Sequence, residues 1–170
     1  MAEEYGKKYA RKLMAHYINT ATTGDAAYER LGKDLDELNV DMNYESDEKE
    51  NILGEVSVDI YGAKPTMEID PYYAREGSAL AERIQSIIDN RLELDDLKTD
   101  VVDVHLWKKS GDSGTAYEAV KESAVIEVKS AGGDTTGYQT PFTLHRLGDP
   151  VKGTFDISTK TFAAGSTAGA

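Results

Sequence analysis

Three histidines, His16, His105 and His145, are the side chains best suited to metal or acid–base chemistry, and they stand in separate segments with no HxH or HExxH spacing. Each lies in an ordinary alternating β pattern, so a structural role is expected of all three. Cysteine is absent, which removes disulfides, thiolate metal sites and cysteine nucleophiles together. Asp34 and Asp36 open like a calcium loop, but Leu38 and Val40 occupy the next alternate positions and the loop glycine is missing. Gly111-Asp112-Ser113-Gly114 and Gly132-Gly133 lead into neither a helix nor Gly-Lys-Ser/Thr, so they read as hairpin turns rather than phosphate cradles. No GxSxG occurs. The expectation is a chain that is not an enzyme and uses neither metal nor cofactor. The alternative is a small enzyme or ligand-binding β-sandwich, which would need a concave pocket with convergent polar groups.

The carboxylates carry more information. Between Asp34 and Asp59 stand Asp34, Asp36, Glu37, Asp41, Glu45, Asp47, Glu48, Glu50, Glu55 and Asp59, with Lys49 as the lone base. Over all 170 residues the formal charge is -12, which argues against gripping duplex DNA, since that requires a basic face. Basic residues gather instead at the start, where Lys7, Lys8, Arg11 and Lys12 accompany Tyr5 and Tyr9. The N-terminal sequence lacks the apolar core of a signal peptide, and no apolar run approaches the roughly 20 residues of a membrane helix. A cytosolic chain of one domain with arms is therefore expected.

The elements that would position these charges follow from periodicity. Met14 to Thr20 is β-prone and runs into the turn signal Thr23-Gly24-Asp25. Leu38, Val40, Met42 and Tyr44 alternate with polar residues, as do Val56, Val58 and Ile60, so two half-buried strands are predicted. Between them the polar stretch 45–53 reads as the long loop of a hairpin. Pairing those strands would place Glu37, Asp41, Glu55 and Asp59 on one face, where like charges opposite one another are destabilising. Such a face is either a solvated surface or one that must not adhere to a polyanion. Thr66 to Ile69 predicts a short strand. Leu80, Ile84, Ile87 and Ile88 fall three and four apart behind Ser78, which predicts a capped helix over about 78–91. Val101 to Trp107 is β-branched and extended. The remainder reads as strands at 115–120, 123–129, 142–146 and 153–158, broken by the loop 131–137 and a turn at Gly148-Asp149-Pro150. Small residues over 163–170 predict a flexible tail. The resulting plan is an arm at 1–13, a mainly β domain with one helix at 14–162, and that tail.

Several strings resemble the major tail tube proteins of long-tailed bacteriophages. They are Asp70-Pro71-Tyr72-Tyr73-Ala74-Arg75, Ile87-Ile88-Asp89-Asn90-Arg91-Leu92, Val101-Val102-Asp103-Val104, Thr140-Pro141-Phe142-Thr143-Leu144-His145 and Gly148-Asp149-Pro150-Val151-Lys152-Gly153-Thr154-Phe155. Tyr28-Glu29-Arg30-Leu31-Gly32-Lys33, leading to Asn51-Ile52-Leu53-Gly54-Glu55, is similar as well, so the likeness extends from about His16 to Phe162. The resemblance implies a β-sandwich or incomplete barrel of the phage tail-tube type with one flanking helix. It further implies hexameric rings stacked into the virion tail tube, built in the host cytoplasm and partnered by tape-measure, terminator and baseplate proteins. DNA would pass through the lumen without specific binding. Under that implication Glu37, Asp41, Glu55 and Asp59 become lumen-facing candidates, and Glu45, Asp47, Glu48, Lys49 and Glu50 an inter-ring loop. Lys7, Lys8, Arg11 and Lys12 become contacts of the N-terminal arm. A tail terminator, a baseplate hub and the inner tube of a contractile device are related alternatives.

Overall fold

The structure, a computed structural model, describes residues 5–165. The outermost parts of the expected arm and tail, 1–4 and 166–170, lie outside the described residues. In chain order the strands are β1 (Met14–Asn19), β2 (Tyr28–Leu31), β3 (Val40–Asp41), β4 (Glu45–Glu50), β5 (Val56–Tyr61) and β6 (Thr66–Ile69). After the helix α1 (Ala79–Asn90) come β7 (Lys98–Lys109), β8 (Ala116–Val128), β9 (Gly132–Asp134), β10 (Gly137–Gln139), β11 (Phe142–Asp156) and β12 (Thr161–Ala164). Among the described residues the fold is thus β-rich with one α-helix, and eight strands join in one sheet ordered β2-β1-β7-β8-β11-β6-β3, with β12 also on β11.

The described chain divides into two compact units. One comprises the residues up to Gly32, Thr99–Ser123 and those from Asp149 onward. Its core gathers Ala15, Tyr17, Tyr28, Val102, Val104, Ala119 and Phe155. These come from alternate positions of antiparallel neighbours, Ala15 opposite Val104 and Tyr17 opposite Val102. Phe155 fills the centre, its ring 4.5 Å from that of Tyr17 and edge-on to Tyr28 at 5.6 Å. The other unit comprises Lys33–Lys98 and Ala124–Gly148. It buries Met67 and Ile69 of β6 opposite Leu144 and Phe142 of β11. Leu80, Ile84 and Ile87 of α1 are buried too.

The helix forms as its spacing dictates. Ser78 caps it by accepting the Ala81 N–H, and Arg91 ends it in the left-handed conformation. Its buried face is turned slightly from the predicted one: Arg83 is buried and Ile88 only half-buried, and Arg83 donates to the Lys98 carbonyl at 2.6 Å.

Other expectations are corrected. The segments expected at 115–120 and 123–129 are parts of one continuous strand, β8, over 116–128, and those expected at 142–146 and 153–158 are joined as β11, which runs straight through Pro150 and ends at Asp156. Proline is accommodated because β6 pairs with 142–145 and β12 with 153–156, leaving Pro150 between the two ladders. Gly148, at φ 81, adopts the left-handed conformation that glycine tolerates. The predicted loop 131–137 supplies β9 and the first residue of β10, which pair as a small hairpin over 132–139. Ala163 and Ala164, assigned to the tail, pair in β12 with Thr154 and Gly153. A Cβ on Gly153 would lie 2.2 Å from the Ala163 carbonyl oxygen, so glycine permits that closeness.

Candidate functional site: an exposed hairpin

The largest departure from expectation lies between residues 40 and 66. The alternating segment 38–44 supplies only the two-residue β3, and its partner is β6, with Val40 opposite Met67 and Asp41 opposite Thr66. The stretch expected to be a loop, Glu45–Glu50, is itself a strand and takes β5 as partner. Backbone pairing continues past β3 and β6 through the Lys64 N–H to the Met42 carbonyl. There Asn43 (φ 50) and Gly62 (φ 68) both turn left-handed, which re-aims the two chains. Asn43 fixes this corner by donating to the Lys64 carbonyl and to Thr66 Oγ1, both at 3.0 Å. Lys64 Nζ meets Glu45 Oε1 at 2.6 Å, lowering the pKa of that carboxyl and raising that of the ammonium through their hydrogen bond and opposite charges.

The far end is closed by a three-residue loop. Asn51 accepts the Gly54 N–H on its carbonyl, while its side-chain Oδ1 accepts from Leu53 and Glu55 N–H. Gly54 follows at φ 77, the glycine bulge that three-residue hairpins use.

Register determines what each face carries, because residues directly opposite point the same way. On one face Glu45, Asp47 and Lys49 stand opposite Tyr61, Asp59 and Ser57. Asp47 and Asp59 would repel each other, and Lys49 Nζ lies 3.2 Å from one and 3.4 Å from the other. The second face sets Ser46, Glu48 and Glu50 against Ile60, Val58 and Val56. Its apolar stripe is uncovered: Val56, Val58 and Ile60 are 58, 56 and 66% exposed. At the tip Ile52 and Leu53 are more exposed still. The half-buried β5 expected from alternation is therefore corrected, since neither face of this two-stranded sheet is covered.

The four acids expected on one face are not together. Glu37 is in irregular chain and accepts from Asn39 Nδ2, Asp41 is in β3, and Glu55 closes the turn. Asp59 alone of the four lies in the hairpin ladder, opposite Asp47. The expected pairing fails because 45–50 is strand rather than loop. Its own side chains are charged or polar at every position, so the strand has no hydrophobic signature. Turn chemistry holds the signal instead: Asn51 and Gly54 bracket a short loop between equal six-residue strands. The exposed apolar residues Ile52, Leu53, Val56, Val58 and Ile60 are site residues that sequence periodicity assigns to an ordinary half-buried strand and its loop.

Of the arm residues, Lys7, Lys8 and Lys12 are exposed, whereas Arg11 is engaged with its own chain. The three histidines have separate settings. His16 bonds Asp103, His145 bonds Glu127 at 2.5 Å, and His105 stacks on Trp107 with centroids 4.9 Å apart. The His145 bond, followed by that from Lys129, lowers the pKa of the Glu127 carboxyl. Among the described residues no group of three or more His, Cys, Asp or Glu side chains is placed to hold a metal, and no helix is long and apolar enough to cross a membrane. A groove of about 440 Å³ beside the end of α1 has an apolar floor of Ile87, Leu92, Leu97 and Ile126, with charged Arg91, Glu93, Glu127 and Lys129 along it.

No protein-family model matches the chain, and no curated protein matches it.

Proposed function

We propose that the chain is a structural subunit that assembles through the β4–β5 hairpin into stacked rings, forming a tube of the phage tail-tube type. The observation that carries this reading is the uncovered stripe Val56, Val58 and Ile60 with Ile52 and Leu53 at the tip. A two-stranded sheet alone is marginal in water, and burying each aliphatic side chain is worth roughly 1.5–3 kcal/mol. The outer backbone edges of β4 and β5 are likewise open to another strand. Covering by further copies would meet both needs, and repetition of one contact gives closed rings. The β-rich fold with one helix and the sequence resemblance support the same reading.

The net negative charge suits a conduit for a polyanion, because a wall of like sign discourages adhesion. Asp47, Asp59 and Glu45 on one hairpin face, or Glu48 and Glu50 on the other, replace the set Glu37, Asp41, Glu55 and Asp59 as the acids a hairpin-lined channel would present. The subunit would act in the virion tail after assembly in host cytoplasm, with other tail proteins as partners and no catalytic role. Terminator, hub and contractile inner-tube roles would share this surface and differ in stoichiometry.

Negative-stain microscopy of the full chain tests the reading, with rings or tubes expected. Ile60→Lys combined with Val58→Lys should abolish them while circular dichroism keeps the β signal. Wild-type chain that stays monomeric at high concentration, or a double variant that still builds tubes, would overturn it.

A further inference from the structure

The N-terminal arm is tied to its own unit by a contact whose chemistry depends on protonation. Arg11 Nη2 lies 3.0 Å from His16 Nε2, and His16 Nδ1 lies 2.6 Å from Asp103 Oδ1. A guanidinium only donates, so Nε2 presents its lone pair; a carboxylate only accepts, so Nδ1 carries the hydrogen. One neutral tautomer satisfies both bonds at once. A second proton would have to enter on Nε2, pointing at the N–H of Arg11.

We propose that His16 is a pH-sensitive latch: neutral, it holds Arg11 and the arm against the sheet; protonated, it releases them. His16 is 4% exposed, so its charge would face Arg11 with little water between. Arg11 is itself exposed; its Nη1 also donates to the Met14 carbonyl at 2.7 Å, a bond within the same turn that opens as well when the guanidinium swings to solvent. Asp103 stays bonded to the imidazolium, which keeps β1 on β7, so acid frees the arm and leaves the sheet intact.

Other titratable and charged groups lie on the elements packed against His16. On β7, Asp103 is opposite His16, and His105, opposite Met14, lies two residues along the same face. On β2, Leu31 is opposite His16, and Glu29, opposite Ile18, shares that face. Of these groups Asp103 and Arg11 are the two in contact with the imidazole, one at each ring nitrogen. In the arm segment itself, Lys12 is exposed and its carbonyl accepts from Arg30 at 3.0 Å, a bond that anchors the chain on the sheet side of the released part. Beyond Arg11, the arm rests Tyr9 on Trp107, ring centroids 4.8 Å apart and 18° from parallel.

Trp107 is the one tryptophan of the chain, and its emission reports whether Tyr9 is docked. Because His105 also stacks on it, the test is made on the full chain carrying His105→Gln. Between about pH 8 and 5, where imidazoles titrate, emission should move to the value shown at every pH by Tyr9→Ala/His105→Gln. His16→Gln/His105→Gln should hold the docked value throughout, since an amide can accept from Arg11 without charging. Arg11→Gln/His105→Gln should hold it too, because a side-chain amide turns its oxygen to a protonated His16; this exposed position decides between latch and no latch should His16→Gln fail to fold. An unchanged emission in His105→Gln, the same shift in either double variant at His16 or Arg11, or simultaneous loss of the β circular dichroism signal would overturn the latch.

Discussion

Strands β5 and β6 are four residues apart and written in the same alternating code, yet they meet opposite fates. Met67 and Ile69 of β6 are 0 and 1% exposed, whereas the stripe of β5 is more than half exposed. The difference lies in neighbours. β6 pairs with β11 on one side and β3 on the other, which sets its apolar residues level with Leu144 and Phe142. β5 pairs with β4, whose facing residues are Ser46, Glu48 and Glu50. Alternation thus establishes that a strand has an apolar face; it does not establish that the same chain covers it. In β6 that face stabilises the subunit, and in β5 it remains available for association.

Truncating one apolar side chain in each strand has the most unequal effects. Met67→Ala should cost about 2–5 kcal/mol in urea unfolding, as a fully buried side chain leaves a cavity. Val58→Ala should stay within about 0.5 kcal/mol for the isolated subunit. A similar loss for both would mean that β5 is covered within the subunit.

Tyr28 extends the buried side of the contrast to β2. Burial, helped by the negative charge of Asp100, pushes its pKa up from 10.0 to about 12. The folded state therefore keeps the proton that the unfolded state gives up first. The stabilisation is fully present below pH 10 and is lost as pH rises toward 12, about 3 kcal/mol in all. Equilibrium unfolding across that range checks the slope, and Tyr28→Phe should flatten it.

Removing the hairpin altogether sharpens the contrast further. Replacing 45–61 by a two-residue Asn-Gly turn should leave unfolding near wild type, with about 1 kcal/mol lost at the corner held by Asn43, and should eliminate assembly. Loss of the cooperative transition in calorimetry would show that the hairpin belongs to the core. The smallest effect is expected at Lys49, where Lys49→Ala leaves Asp47 and Asp59 unscreened on an exposed face. Thermal unfolding of the subunit should move by less than a degree or two, the equivalent of under roughly 0.5 kcal/mol.

The sequence determined on its own the elements whose signals are local. Ser78 and the three-and-four spacing of Leu80, Ile84 and Ile87 specify α1, because cap and stripe lie within one helix length. Met14–Asn19, Thr66–Ile69 and the β-branched centre of β7 are strands for an equally local reason. Turn chemistry also located the bend at Gly111 to Gly114, whereas Gly132-Gly133, read as a turn, pairs within β9 and the chain reverses at 135–136.

Tertiary structure decided which strands meet and therefore what each face sees. β3 took β6 as its partner, which freed β5 for β4 and dispersed Glu37, Asp41, Glu55 and Asp59. The charged run Glu45–Glu50 became a strand because β5 supplied hydrogen-bond partners for its backbone, a non-local gain that its side chains do not announce. Pro150 stayed within β11 because two different ladders end on either side of it. His16 and Asp103 came together through cross-strand register over 87 residues of chain, and Arg11 joins them from five residues before His16. A side-chain period is a property of a few consecutive residues, whereas register and coverage arise only when distant segments are brought together, and those set the exposed hairpin and the arm contact alike.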